Sequence, residues 1–304
     1  MQKKTTTRKK TQPNTEPTIT YTAPVEEQHN IIFKPNAGPQ TDFLAAGERE
    51  VLFGGSAGGG KSYAMLADPL RFMGHPAFSG LLLRHTTEEL RELIFKSQEM
   101  YPKIWPGIKW SERKMQWTAP SGARLWMSYL DREDDVLRYQ GLAFSWIGFD
   151  ELTQWPTPFA WNYMRSRLRS TAPDLPVYMR ATTNPGGRGH HWVKKMFIDP
   201  AAYGVAFEAT DIETSEVLRY PAGHAKAGKH LFKRRFIPAR LSDNPYLAEQ
   251  GDYEAMLLSL PEQQRRQLLD GDWDIKEGAA FTEFDRRVHV VEPYDIPSNW
   301  VKFR

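Results

Sequence analysis

The sequence predicts an α/β fold in which a mostly parallel sheet is flanked by helices. Short continuous apolar runs, typical of buried parallel strands, occur at 51–53, 80–84 and 144–149. Helical apolar patterns follow the first two runs, at 63–70 and 86–100. In an open sheet of this kind ligands bind at the carboxyl ends of the strands, so the residues that follow each run are the first candidates for a site.

The composition sets wide limits on the class of protein. A chain of 304 residues with 40% hydrophobic content is enough for one large or two modest domains. The net charge of +3 permits a nucleic-acid partner without favouring one, and the absence of cysteine excludes a disulfide framework and a cysteine-ligated zinc site. No apolar run approaches the roughly 18 residues that span a bilayer, so no membrane partner is expected.

Residues 1–30 are polar and basic, and we predict a disordered tail there. A solvated tail is the simpler interpretation. An arm that touches a polyanion or a partner subunit is the alternative.

The segment 50–62 reads E-V-L-F-G-G-S-A-G-G-G-K-S and fits the phosphate-loop pattern G-x-x-x-x-G-K-[ST]. Glycine tolerates the backbone angles that turn successive N–H groups inward to form a nest for anions. The lysine adds charge at the outer phosphates, and the serine hydroxyl can hold magnesium. A flexible glycine turn before an ordinary helix is the alternative. The predicted nucleotide-binding residues are Gly55, Ser56, Ala57, Gly58, Gly59, Gly60, Lys61 and Ser62.

Two isolated side chains near this loop carry weaker indications. Gln40 lies upstream, and its amide can both donate and accept, as reading an adenine edge requires. Arg84 ends the second apolar run, where it could face phosphate or pair with Glu88 or Glu89.

Two strands around a turn are predicted at 115–129, from alternating polar and apolar residues.

The third apolar run delivers two adjacent acids, Asp150 and Glu151, to the carboxyl edge of the sheet. About 90 residues after a phosphate loop, this pattern looks like a Walker B element. Asp150 would belong to the magnesium shell. Glu151 would orient and deprotonate the attacking water, because hydrolysis needs a positioned base in line with the γ-phosphate.

The segment 175–187 predicts another strand, which ends in Thr182, Thr183 and Asn184 and a turn. These side chains would lie beside the nucleotide, where they could pass the presence of the γ-phosphate to a moving segment. A plain Asn-Pro-Gly turn is the alternative. Residues 188–195 form a basic patch suited to a phosphate backbone.

The remaining segments complete the predicted elements. Arg165, Arg167 and Arg169 spread around a helix, so a general surface role is predicted for them. A basic-flanked strand is predicted at 233–241 and one helical stretch at 253–269.

Taken in order, these segments resemble the ATPase domain of tailed-bacteriophage large terminase subunits, the genome-packaging motors. The resemblance covers about residues 33–285 and rests on the phosphate loop, L-L-L-R, Y-Q-G, I-G-F-D-E-L-T-Q-W, A-T-T-N-P-G-G, D-N-P-Y-L and G-D-W-D. The last two segments, in register with the rest, are the most specific.

The resemblance implies a P-loop NTPase fold of the RecA-like (ASCE) type. It implies a motor domain over residues 31–285, with a small helical lid or linker in about 200–285. It also implies ATP and Mg²⁺ as cofactors: Lys61 and Ser62 bind phosphate and magnesium, Asp150 is the Walker B acid and Glu151 the catalytic base. Thr182, Thr183 and Asn184 match the family's coupling motif, and Gln40 falls where its adenine-contacting glutamine lies.

The resemblance also implies partners: double-stranded DNA, a portal protein, a small terminase subunit and further copies in a ring. The setting would be the host cell cytoplasm, transiently on the procapsid. A neighbouring subunit's arginine then completes the site, and Arg138 is the first candidate, with Arg84 the second.

Large terminases carry a C-terminal nuclease domain with acidic metal ligands. We expect residues 286–304 to be the start of that domain, truncated here, and we expect no nuclease activity from this chain.

Three other classes of function compete with an ATP-driven DNA translocase. A two-lobed helicase would need a second RecA-like domain, which the roughly 100 residues after Asn184 cannot hold, although another nucleic-acid-stimulated ATPase stays open. Glu151 argues against a module that only binds nucleotide. The A-T-T-N-P segment and the basic patches favour a polymer substrate over that of a small-molecule kinase.

Overall fold

A computed structural model describes residues 31–275 of the chain. In that range nine strands form one sheet, in the order β3-β4-β5-β2-β6-β7-β1-β9-β8. The strands are β1 (Glu50–Gly55), β2 (Ser79–Arg84), β3 (Lys109–Ser111), β4 (Gln116–Thr118), β5 (Arg124–Tyr129), β6 (Trp146–Asp150), β7 (Tyr178–Thr183), β8 (Ala206–Glu208) and β9 (Lys233–Ala239).

The middle of the sheet is parallel, as the apolar runs predicted. Strand β1 pairs in parallel with β7 and β9, and β2 pairs in parallel with β5 and β6. The antiparallel pairs lie at the two ends, where β3 and β4 extend one edge and β8 the other. All six residues of β1 are buried, because β7 and β9 flank the strand and other parts of the chain cover both faces of the sheet there.

Helices connect the strands and cover the sheet. They are α1 (Pro39–Ala45), α2 (Lys61–Ala67), α3 (Thr87–Ile104), α4 (Phe159–Arg165), α5 (His190–Val193), α6 (Pro245–Ala248), α7 (Asp252–Leu258) and α8 (Glu262–Leu268). Helix α2 continues as a 3₁₀ turn, and α5 continues as a π-helical turn over Lys194–Ile198. Helix α3 begins with a capping box, because the Thr86 hydroxyl accepts from the Glu89 backbone amide while the Glu89 carboxylate accepts from the Thr86 backbone amide.

Two details differ from the sequence-based expectations. The stretch at 253–269 is not one helix, because Ser259–Pro261 separates α7 from α8 and proline lacks the N–H that a continuous helix needs. Arg165 does not have a general surface role. It comes from the end of α4 and pairs with the buried carboxylate of Glu50.

The predicted tail at 1–30 and the predicted start of a nuclease domain at 286–304 lie outside the described residues. In the described part of the chain, no helix has both the length and the apolar character that crossing a membrane requires.

Candidate nucleotide site

The phosphate loop follows β1 directly and is shaped by its glycines. Gly55 has a φ of 138°, and a Cβ there would lie 2.3 Å from the carbonyl oxygen of Ala239 on β9. Gly60 has a φ of 77°, and its Cβ would lie 2.8 Å from Nε2 of Gln40. A larger residue at either position would therefore collide with its neighbours in a backbone conformation that disfavours it.

The amides of the loop divide into two groups. Those of Ser56 and Ala57 donate to the carbonyls of Ala239 and Leu268, at 2.8 and 2.6 Å. Among residues 31–275, the amides of Gly58, Gly59 and Gly60 have no such protein acceptor. The first group fixes the loop, and the second is left to bind an anion.

Lys61 begins α2 with its side chain folded back onto the loop. Its Nζ donates to the carbonyl of Ser56 at 2.6 Å. Burial lowers the pKa of Lys61, although the carboxylates of Glu151 and Asp150 oppose that shift. The ammonium is thus a buried cation beside two acids, at the place where a phosphate would supply further negative charge.

Asp150 ends β6 and is 1% exposed, and both of its carboxylate oxygens are engaged. The Thr182 hydroxyl donates to Oδ1, and the Arg84 guanidinium donates to Oδ2 at 2.5 Å. Asp150 and the Ser62 hydroxyl, in the first turn of α2, offer the hard oxygen donors that Mg²⁺ prefers, so this donor set fits the ion.

Glu151 follows Asp150 in a left-handed conformation, with φ 60° and ψ 55°. Its Oε2 accepts from the Thr183 hydroxyl at 3.4 Å and from the Asn184 amide at 3.3 Å. Burial raises the pKa of Glu151, and the neighbouring Asp150 carboxylate raises it further, against the opposing effect of Lys61 and Arg84. A non-glycine residue in this conformation is uncommon, and such strain is concentrated at functional sites.

Thr153 connects the segment of Asp150 and Glu151 to the segment Thr182–Asn184. Its hydroxyl lies 2.7 Å from that of Thr183, and its amide donates to the same hydroxyl at 3.2 Å. The structure therefore brings together the phosphate loop, the Asp150–Glu151 pair and the Thr182–Asn184 segment, on the adjacent strands β1, β7 and β6.

The other predicted site residues lie further from these carboxylates. The Gln40 amide accepts from the Asn36 amide at 2.6 Å and donates to the Gly60 carbonyl at 2.8 Å, so Gln40 supports the loop. Its contact with adenine stays a prediction. Arg138 is 43% exposed beside Asp135 and Tyr129. It is accessible to a neighbouring subunit, and its role there also stays a prediction.

Arg84 pairs with Asp150 within its own chain, while its Nε lies 3.7 Å from Glu89. Sequence reasoning foresaw the Glu89 pair but missed the Asp150 pair. The available signal was the position of Arg84 at the end of β2, since β2 is the parallel neighbour of β6.

The segment 268–275 was also missed as part of the site, although its G-D-W-D letters contributed to the resemblance. A Cβ at Gly271 would lie 2.6 Å from the Ser56 amide nitrogen, and the Trp273 ring packs beneath Gly54. His190 stacks on Trp273 with ring centroids 5.3 Å apart. We call residues 268–275 the strap, because they lie against both the phosphate loop and the helix after β7.

The glycine loop on β1, the acids on β6 and the threonines between them define a P-loop nucleotide-binding protein. The family model of the terminase large subunit, T4likevirus-type, N-terminal, matches residues 52–288. The chain therefore belongs to this family. Among curated proteins, none matches the chain significantly.

Solved structures agree on the fold. The large terminase of a thermophilic bacteriophage, in complex with ADP, is 19% identical with a TM-score of 0.57, over 86% of this chain and 60% of that one. The large terminase ATPase domain of Thermus phage P74-26 is 14% identical with a TM-score of 0.50, over 79% of this chain and 94% of that domain. The chain thus spans about 60% of the length of the ADP-bound terminase.

Proposed function

We propose that this chain is the ATP-hydrolysing motor portion of a large terminase, which translocates double-stranded DNA into a procapsid. The observation that carries the proposal is the placement of Glu151, held by Thr183 and Asn184 beside Asp150 and Lys61. A protein that only binds nucleotide has no use for a base there. Membership of the terminase family supports DNA as the polymer that is moved.

The phosphate loop binds the substrate in this proposal. The amides of Gly58, Gly59 and Gly60 donate to phosphate oxygens, and Lys61 places its charge on the outer phosphates. The ADP in the similar large terminase of the thermophilic phage supports an adenine nucleotide as the ligand. In this proposal Gln40, which is fixed between Asn36 and the loop, contacts the base.

Asp150 and Ser62 would hold Mg²⁺, which neutralises charge on the phosphates when it is bound. Arg84 now occupies the Oδ2 of Asp150, so this guanidinium has to share or release that oxygen.

Glu151 acts as the general base. Its carboxylate accepts a proton from the water that attacks the γ-phosphate, and the raised pKa makes it a stronger proton acceptor than an ordinary glutamate. The threonine and amide donors to Oε2 fix the direction of the carboxylate. These donors belong to the end of β7 and the turn that follows it, and the Thr182 hydroxyl donates to the neighbouring Asp150, which supports a coupling role for Thr182, Thr183 and Asn184.

Assembly completes the proposal. The chain works with further copies in a ring on the portal protein, with the small terminase subunit, in the host cytoplasm. Arg138 reaches the site of a neighbouring subunit, where its charge stabilises the transferred phosphoryl group. Turnover per subunit should therefore rise as the ring assembles.

Two substitutions test the site. Lys61→Ala should abolish binding of a fluorescent ATP analogue. Glu151→Gln should keep that binding and lower the rate of hydrolysis about 10²–10⁴-fold, because only the proton acceptor is lost. Both are measured by anisotropy and phosphate release.

Lys103→Ala and Glu99→Gln, at exposed positions on α3, are the matched controls and should behave as the wild type. Turnover retained in Glu151→Gln would remove the base assignment, and ATP binding retained in Lys61→Ala would remove the phosphate loop from the mechanism.

A further inference from the structure

Beside the turn that follows β7 lies a groove of about 620 Å³, and most of its polar lining is basic. One wall is formed by residues 188–195, and the other by the end of the strap, at Trp273–Ile275. The phosphate loop, Asp150 and Glu151 do not line this groove. Its basic side chains therefore have no role in the proposed binding of ATP.

Three residues of the segment form an exposed basic stripe: Arg188, His191 and Lys195. His191 lies in α5, Lys195 in the π-helical turn that continues it, and Arg188 in the turn before it. The apolar side chains of the same segment, Trp192, Val193, Met196 and Phe197, are buried in the core. The three basic side chains are therefore the part of the segment that meets solvent, and no large apolar side chain is exposed among residues 188–195.

The acids of the groove are already paired. Lys194 lies 3.1 Å from Asp199 and 3.0 Å from Asp274, so it offsets one of the two negative charges and is itself not available to an anion. Arg188 and Lys195 have no ion-pair partner within residues 31–275. They are the charges that the groove can offer to an anion.

A nucleic-acid backbone fits this stripe better than a protein surface. Stable protein interfaces bury aromatic or apolar anchors, and the stripe exposes none. Lysine and arginine on such a face supply contacts that depend on charge rather than on base sequence.

The stripe is also joined to the catalytic carboxylate. The amide of Gly189, next to Arg188, donates to the Thr153 carbonyl at 2.7 Å. The Thr153 hydroxyl meets Thr183, whose hydroxyl donates to Glu151. A Cβ at Gly189 would lie 2.1 Å from the Trp155 carbonyl oxygen, so only glycine allows the turn to pack this closely against the segment after β6.

We propose that the stripe of Arg188, His191 and Lys195 binds the phosphate backbone of the DNA duplex and reports its presence to Glu151 through Gly189 and Thr153. This rests on the proposed function, since it identifies the surface that meets the polymer. The chemistry recognised is the backbone charge of a duplex, independent of its sequence.

The test measures binding of a short fluorescein-labelled duplex to the 304-residue chain by anisotropy, without nucleotide. Arg188→Ala/Lys195→Ala should weaken binding about tenfold or more at low salt. It should also reduce the slope of log affinity against log salt by about 2, one unit for each phosphate that the variant no longer neutralises. Arg113→Ala/Lys114→Ala removes the same charge between β3 and β4, five strands away from β7, and should leave both quantities unchanged.

A second measurement separates this proposal from the proposed function. The variant should keep the basal rate of ATP hydrolysis and lose most of the stimulation by duplex. A chain that hydrolyses no ATP but shows the specific loss of duplex binding would contradict the motor and support the stripe.

Three results would overturn the stripe: wild-type chain without measurable duplex affinity at low salt, equal losses in the two double variants, or unchanged affinity in Arg188→Ala/Lys195→Ala. The last result would show that the duplex binds elsewhere on the chain.

Discussion

The two ends of the parallel sheet each hold a glutamate near two cations, but in opposite electrostatic states. At the amino end of β1, Glu50 pairs with Arg165 and, at 2.8 Å, with Arg234. At the carboxyl end of β6, Glu151 interacts electrostatically with Lys61 and Arg84. Burial alone would raise the pKa of Glu50, yet its two arginines outweigh burial and the net pKa is lowered. The pKa of Glu151 is raised.

The difference lies in where the cations are directed. Both arginines donate to the carboxylate of Glu50, whereas Arg84 donates to Asp150 and Lys61 donates to a backbone carbonyl. The carboxylate of Glu151 therefore receives no hydrogen bond from either Lys61 or Arg84. Completed pairing stabilises the fold at one end of the sheet, and incomplete pairing leaves a carboxylate at the other that can serve as the proposed base.

The largest expected effect separates the two glutamates by stability. Glu50→Gln should lower the free energy of unfolding by about 3–5 kcal/mol and the Tm by roughly 6–20 °C, because it leaves the 1% exposed Arg234 buried without its partner. Glu151→Gln should leave stability unchanged or raise it, because a carboxyl whose pKa is raised by folding costs stability above its unfolded pKa. Urea unfolding followed by circular dichroism measures the free energy of unfolding of the two variants, and thermal unfolding measures their Tm. Equal losses would remove the contrast.

The next effect is on pH dependence. The Glu151 carboxylate, the proposed base, is ionised above its pKa in the folded chain and becomes protonated as the pH falls through that pKa. Because that pKa is raised, kcat should begin to fall at a higher pH than the usual 4.5 of glutamate would give, about tenfold per pH unit on the acid limb. Glu50, with a lowered pKa, keeps its charge through the same range, so the fold should persist while activity falls. Parallel loss of activity and circular dichroism signal would contradict this.

The smallest effect on stability is expected for an ion pair that is exposed to solvent. Lys96 and Glu92 form an i,i+4 pair on α3, and Glu92 is 64% exposed. Lys96→Ala should cost only about 0.3–0.5 kcal/mol, and about 1 M salt should remove most of the difference, because water and ions screen such pairs. A loss as large as that of Glu50→Gln would show that burial does not decide the value of these pairs.

The sequence predicted those parts of the molecule that short-range patterns determine. The glycine loop and the strand before Asp150 are each contiguous, so their residue types reveal their backbone and chemistry directly. Arg165 was misjudged because its partner Glu50 is 115 residues away, and no local spacing reveals such a pair. The roles of Arg84 and Thr153 likewise depend on which strands become neighbours.

The strap has a consequence for the order in which the chain acquires structure during synthesis. The phosphate loop is complete in sequence by Ser62. Its Ala57 amide, however, donates to the Leu268 carbonyl, and its Ser56 amide lies in close contact with Gly271. These contacts cannot form until about 210 further residues have been made, roughly 10–40 s at ordinary rates of translation. A nascent chain should therefore remain unable to retain nucleotide until nearly all of residues 31–275 have left the ribosome.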